Sequence, residues 1–307
     1  MSGAAGADAA HAARQAALLN AMPVVFVLIW STGFVVARYG MPHAPPLGFL
    51  ALRYAFSVAA FLVWIAWARA AWPQGRTQWL HLGVTGLLMH AGYLGGVWAA
   101  VKDGLGAGLA ALIVGLQPMI TALWISARGH RHHVSPRQWL GLVLGLAGLL
   151  LVVWHKLHLG EARLFNVGLA VVALASITAG TLYQKQWVQP CDVRTANTVQ
   201  LLAAFAVTAP LALLETGPFD LHPELIGAMA WSVLVLTLGG SSLLYLLIQR
   251  GAATAVTSLM YLVPPCTAVL AWLLFGETLS LLVLAGLALT AAGVALVVRD
   301  PRPPSTT

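Results

Sequence analysis

GLQPMITAL (residues 115–123) and LVPPCTAVL (262–270) lie 147 residues apart, and laid one over the other they place Pro118 on Pro265. Each sits midway along a long apolar run. Proline removes a backbone donor and pushes against the carbonyl one turn back. In a bilayer no water is present to satisfy that carbonyl. A matched pair of such interruptions therefore needs an explanation, and the rest of the chain supplies one.

The same offset of 147 places Gly33 on Gly180, Arg38 on Lys185, Gly104 on Gly251, Leu112 on Leu259 and Gly129 on Gly276. It also sets Trp98 against Tyr245, aromatic on aromatic. After a two-residue slip the offset becomes 145, and GLLLVVW (148–154) lies over GVALVVR (293–299), with Gly141 over Gly286. Matches of Leu on Leu mean little in an apolar chain. The glycine and proline matches carry the repeat.

The chain is 60% hydrophobic and 8% charged, against about 25% charged in a soluble domain. A membrane-spanning helix needs about 20 mostly apolar residues. Runs of that kind fall at 19–37, 47–68, 78–100, 105–127, 138–155, 165–184, 195–214, 225–249, 252–274 and 280–298. The expected fold is an all-α polytopic membrane protein of ten transmembrane helices. Its parts are a mobile tail at 1–18, a first repeat at 19–155, an outer linker at 156–164, a second repeat at 165–298 and a tail at 299–307. Residues 1–18 lack the apolar core and cleavage site of a secretory signal.

Lys and Arg set the orientation. The tails and the even-to-odd connections hold eleven of them, the opposite connections four, and Arg53 lies within a span. Both termini are therefore expected in the cytoplasm. Five helices per repeat is an odd number, so the second copy enters the membrane inverted. Inverted repeats are the architecture of secondary transporters, with substrate held near the midplane between the halves. Scattered basic residues give no nucleic-acid footprint. Two cysteines, Cys191 and Cys266, give neither a disulfide framework nor a metal spacing. RGHRHH (128–133) reads as a basic loop facing the lipid headgroups. No cofactor or metal is expected.

LIWSTGFVVARYG (28–40), PPLGFLALRYAF (45–56), ALIVGLQPMITAL (111–123) and SLMYLVPPCTAVLAWLLFGETL (258–279) resemble EamA-type carriers of the drug/metabolite transporter superfamily, with the YddG-type amino-acid exporters nearest among them. The resemblance covers about residues 20–300. It implies ten helices in inverted five-helix repeats and export of small metabolites. One departure is visible: the family's Gly-Glu after the fourth span is kept as Gly276-Glu277 in the second half, while the first half has Gly129-His130.

Ionisable groups inside a bilayer are functional suspects. The central parts of the spans hold no Asp or Glu. That argues against a proton-driven drug antiporter and for a neutral or zwitterionic solute. His90 is the titratable group nearest a midplane, with Tyr93 and Val97 on its helical face. Two readings stand: a substrate or proton contact, and a neutral imidazole bonded to a neighbouring carbonyl. Thr254, Ser258, Tyr261 and Pro265 form a polar stripe on the ninth span, and Gln117 and Thr121 pair on the fourth. Trp98, Tyr183 and Tyr245 offer aromatic walls, as Trp30 does on the first span. Gly33, Gly180, Pro118, Pro264 and Pro265 are candidate hinges or sources of free cavity backbone. Arg53 is expected to snorkel to the headgroups, with a substrate carboxylate as the sharper alternative. Trp64, Trp67, Trp72 and Trp79 read as interface anchors. Gly141 and Gly145 form a GxxxG pair suited to close packing within a monomer or at a dimer seam.

The expected function is export of small amphipathic metabolites, neutral or aromatic amino acids foremost, from the cytoplasm of a bacterium by alternating access. A multidrug or nucleotide-sugar carrier of the same fold would want an embedded carboxylate or a basic cavity. A membrane enzyme would want clustered acids or a nucleophile at one interface. A channel would want a charged ring or carbonyl filter.

Overall fold

A computed structural model describes residues 22, 24–128, 135–160, 162–243 and 260–298, with side chains absent from the description at 125–128, 261 and 298. Among the described residues there are helices and connections and no strand. The helices are α1 (Val24–Gly40), α2 (Pro46–Ala68), α3 (Arg76–Lys102), α4 (Ala107–Trp124), α5 (Pro136–His158), α6 (Leu164–Trp187), α7 (Val193–Ala212), α8 (Pro223–Leu243), α9 (Val263–Phe275) and α10 (Leu281–Val297). One helix falls on each expected span. Seven are long and apolar enough to cross a membrane, and α1, α9 and α10 are shorter apolar helices.

Lipid supplies no hydrophobic drive between helices, so association rests on close packing and interhelical hydrogen bonds. The tightest seam joins α5 to α10. A Cβ built on Gly141 would lie 2.6 Å from the Gly293 carbonyl oxygen, and one on Gly148 would lie 2.5 Å from that of Gly286. The converse holds too, at 2.5 Å from Gly293 to Gly141 and 2.7 Å from Gly286 to Gly148. The early end of α5 thus meets the late end of α10, so the two helices are antiparallel. The offset of 145 converts the Gly141–Gly293 contact into Gly286–Gly148. Repeats with the same orientation would set α5 and α10 parallel. The observed seam requires a two-fold axis across the helices, which is the inverted arrangement.

Other pairs obey the same relation. Helix α2 packs on α7, and α4 on α9. The α3–α6 pair, where a Cβ on Gly96 would meet the Leu169 carbonyl at 2.8 Å, has its counterpart in α1–α8. There Trp231 Nε1 donates to Thr32 Oγ1 at 2.9 Å.

Two helix starts are capped by carboxylates distant in sequence. Glu215 accepts from the Leu47 and Gly48 amides at 3.1 and 2.9 Å, at the beginning of α2. Glu277 accepts from the Ala107 amide at 2.8 Å, at the beginning of α4. Both place negative charge where the first-turn donors are unpaired and the helix dipole is positive. The departure noted in sequence therefore has a structural meaning: Glu277 of the second half caps the first half's fourth helix. His130, its repeat counterpart, lies outside the described residues.

The outer surface of the bundle is apolar. Trp67 is 83% exposed, and Val63, Leu150 and Trp154 share that face-to-lipid character. Trp67 faces out of the bundle. Trp64 instead packs on Phe61 and lies under the Arg194 guanidinium at 5.6 Å, while Trp72 and Trp79 stack on each other. The expected GxxxG role divides: Gly141 meets α10, whereas Gly145 also faces Met119 of α4.

Gly286→Leu should separate α5 from α10 and lower stability by about 1–3 kcal/mol, the usual penalty of overpacking. Thermal unfolding in detergent measures it. Leu284→Ala, at an exposed position of the same helix, should change little.

Candidate functional site

Proline shapes two helices at corresponding places. Helix α4 is interrupted at Gly115–Leu116, between Ala107–Val114 and Gln117–Arg128. Pro118 lies in the first turn of the second piece, where its missing amide does least harm, and Val114 keeps a carbonyl with no α-helical donor. On the other side a 3-10 turn at Met260–Leu262 leads into Val263–Phe275, with Pro264 and Pro265 in the first turn. The prolines thus stand in the first turns that follow an interruption of α4 and a 3-10 turn before Val263, while residues 251–259 lie outside the described residues. A narrow cavity lies against both starts, lined by Trp30, Phe34, Val114, Gln117, Pro118 and Met260 among others.

At this cavity Gln117 Nε2 donates to Thr181 Oγ1 of α6 at 2.9 Å. Thr121 Oγ1, one turn along, is buried without a hydrogen-bond partner among the described residues. Thr267 Oγ1 of α9 donates to the Ser31 carbonyl at 3.1 Å, tying α9 to α1.

A second polar centre occupies α2, α3, α7 and α8. Helix α3 widens to a π-helix at Leu87–Gly92, and α8 does so at Trp231–Gly240. These segments correspond under the offset of 147. Such widened turns are rare and frequent at functional sites. His90 sits on the first and Thr237, its repeat counterpart, on the second. Each meets a polar side chain from a neighbouring helix. Arg53 of α2 donates from Nη2 to Thr237 Oγ1 at 3.2 Å, with Nε at 3.4 Å. The Gln200 side chain of α7 lies near the His90 ring. Adding 147 to Arg53 gives Gln200, so the two pairs occupy equivalent positions of the repeat. Tyr54 Oη donates to the His90 carbonyl at 2.9 Å. Tyr54 and Tyr93 both lie within electrostatic reach of the Arg53 guanidinium.

Arg53 therefore corrects its expectation. It is 7% exposed and turns inward to α8 rather than outward to the headgroups. A fixed hydroxyl acceptor and the helix-to-helix contact hold it there. The sequence carried a usable signal, since the repeat offset pairs Arg53 with Gln200 and His90 with Thr237.

The other expected site residues scatter. Tyr93 is buried beside the polar centre. Trp98 is fully buried, stacks on Phe49 with ring centroids 4.3 Å apart and fills the space over Gly40, so it packs the core. Tyr183 lies at the far end of α6, its hydroxyl 2.7 Å from His81 Nδ1 and its ring beside Trp187. Gly180 lets α6 approach the π-helix of α3, since a Cβ there would meet Met89 at 2.6 Å. Gly33 has ordinary space around it, with Leu236 at 3.9 Å. Tyr245, Thr254 and Ser258 lie outside the described residues, and Tyr261 is described only in its backbone. Of the RGHRHH segment, residues 129–133 lie outside them too.

The connections at each end are tied down. At one end His43 faces Asp220 Oδ2 at 3.3 Å and Glu224 Oε2 at 3.1 Å, and its ring stacks on His222. His43, His222 and Glu224 have ligand atoms within 4.8 Å of one another, a grouping that their sequence separation hid. Asp220 and Glu224 are substantially exposed there, so the cluster is solvated. At the other end Gln78 Nε2 donates to the Gln189 carbonyl at 2.8 Å and Thr195 Oγ1 to that of Ala71 at 3.0 Å. Burial pushes the Cys191 thiol above its usual value, and the Arg194 hydrogen bond holds Asp192 below the usual carboxylate range.

The chain matches the EamA-like transporter family twice, over residues 17–154 and 164–299. It is 27% identical over 283 residues to a probable amino-acid metabolite efflux pump of Salmonella typhimurium, covering 89% of this chain and 92% of that protein. It is 23% identical to an uncharacterized transporter of Archaeoglobus fulgidus, over 88% of this chain and 93% of the relative. The uncharacterized inner membrane transporter YedA of Escherichia coli is 26% identical, over 82% and 81%. A solved crystal structure, 18% identical, superposes with a TM-score of 0.63 over 91% of this chain and 96% of the other, which shows a shared fold.

Pro118→Ala should supply the missing amide and let α4 close over Gly115–Leu116. The expected result is a higher melting temperature, by about 1 kcal/mol or more of stability. An unchanged value would assign the break to packing around Gly115 instead.

Proposed function

This chain belongs to the EamA-like transporter family, and we propose that it exports small amphipathic metabolites, neutral or aromatic amino acids foremost, across the cytoplasmic membrane by alternating access. In this reading the halves 19–155 and 165–298 rock about the shared centre, and the tails face the cytoplasm. The protein works as a monomer or a homodimer, without a cofactor.

The observation that carries the reading is the polar centre built from equivalent positions of the two halves, Arg53 on Thr237 and Gln200 near His90. A centre shared between like-built halves, each pair linking one half to the other, is what two states of similar energy need. When the halves exchange conformations, such a centre is presented to the other side of the membrane. The half-helix starts at Pro118 and Pro264 support it, because free carbonyls in lipid are tolerated where they line a cavity.

The substrate class follows from the polar inventory. The described spans hold Arg53, His90, Gln117, Gln200 and Tyr93 near their middles, and no carboxylate. A zwitterion offers both a negative group for the cation and an ammonium for amide and carbonyl oxygens. The aromatic side chains Trp30 and Phe34 at the cavity suit an apolar side chain. The Salmonella relative's name points the same way. Absence of an embedded acid leaves a proton-exchanging drug antiporter without its exchanging group.

Purified protein in liposomes should accelerate counterflow of at least one neutral amino acid, phenylalanine, leucine and threonine being the first to try. His90→Ala and Gln117→Ala should each lower that rate about tenfold or more, the scale of a lost polar contact in a buried site. Trp67→Ala, on the lipid face, should leave it within twofold. Counterflow of none of a broad amino-acid panel would end the substrate assignment.

A further inference from the structure

Arg53 is a buried cation without an anion. Its guanidinium carries five donors in a planar fork. Among the described residues the only acceptor it reaches is Thr237 Oγ1, and the groups in electrostatic reach are Tyr54, Tyr93 and His90, none of them negative at neutral pH. Burying a charge in this way is unfavourable unless it is paired. Ser57 Oγ, one turn further along α2, is likewise buried and has no hydrogen-bond partner among the described residues. Two polar groups on one face of one helix thus stand incompletely satisfied, at the height of the π-helix that carries His90.

The two halves differ at this point. Position 200, equivalent to Arg53, is a neutral amide, and position 237, equivalent to His90, is a hydroxyl. An otherwise two-fold centre therefore carries its positive charge on one side only. A ligand bound across it meets a cation from the first half and a neutral amide from the second. That asymmetry orients a ligand with one charged end, whichever way the carrier is open.

We infer that Arg53 is the anchor for the carboxylate of the transported solute, donating to both of its oxygens, with Tyr93 and His90 beside the bound group. This rests on the reading of the chain as a carrier of amino acids, and it specifies which end of the molecule is gripped. Arg suits the task because its fork matches the two carboxylate oxygens, whereas a Lys ammonium presents a point charge. Thr237 holds the guanidinium in place between cycles by occupying Nε and one Nη2 donor. The remaining N–H groups stay available to the solute.

The test is thermal protection of the purified wild-type protein by phenylalanine, leucine and threonine and by the corresponding amino-acid amides, which lack the carboxylate. At least one amino acid should protect, and its amide should need at least about tenfold higher concentration for the same shift. In Arg53→Gln the two forms should protect equally, and the amino acid should have lost about tenfold. Arg53→Lys should fall between. Equal protection by acid and amide in the wild type, or unchanged discrimination in Arg53→Gln, would overturn the assignment. If Arg53→Gln does not fold, the wild-type comparison and Arg53→Lys decide it. An amino acid that protects through Arg53 but shows no counterflow would support the anchor and refute export. Counterflow that is undiminished in Arg53→Gln would refute the anchor and leave export standing.

Discussion

The packing of α5 against α10 through bare backbone is the constraint from which the rest follows. Gly141, Gly148, Gly286 and Gly293 leave no room for a side chain between the helices. Because the contacts exchange under the repeat offset, they set the two halves antiparallel about an axis in the membrane plane. Once that axis exists, equivalent positions of the two halves are brought into equivalent surroundings, whether or not their side chains still match. The Arg53–Thr237 and Gln200–His90 pairs show this at the centre of the bundle.

This explains why polar groups collect where they do. In lipid, each unsatisfied donor or acceptor is penalised, and most of this chain avoids the problem by being apolar. The exceptions lie where helices are irregular: the π-helices at Leu87–Gly92 and Trp231–Gly240 and the half-helix starts at Pro118 and Pro264. Irregular backbone also leaves carbonyls open to a side-chain donor, as at His90, whose carbonyl accepts from the Tyr54 hydroxyl. At the ends, Glu215 and Glu277 of the second half hold the starts of α2 and α4 of the first.

Much of the architecture was legible in the sequence because it rests on period and composition. Apolar runs of spanning length report helices, and Gly and Pro matches at a constant offset report the repeat. The glycine seam could be read as packing because only small residues allow it. Side-chain direction could not be read. Arg53 lies about two turns inside its span, from where a long side chain can still snorkel outward, and the acceptor on α8 turns it inward. Trp98 looked like a cavity wall by its pairing with Tyr245, yet Phe49 and Gly40 enclose it. Tyr183 looked central by helical spacing but sits with His81 at the helix end. Long-range caps such as Glu215 on Leu47 have no local signature at all. The π-helices were also hidden, since nothing in LLMHAG distinguishes a widened turn from an ordinary one.

The most direct test of the account is the sidedness of equivalent loops. Pro42 follows α1 and Gln186 lies at the end of α6, the repeat counterpart of α1, and both positions are exposed. Single cysteines at each, in a chain with Cys191→Ser and Cys266→Ser, can be labelled on intact cells and on inside-out vesicles with a maleimide that does not cross the bilayer. The account predicts that Pro42→Cys reacts on intact cells and Gln186→Cys on inside-out vesicles. Reaction of both from the same side would mean that the halves are parallel, and the shared two-fold centre would not exist.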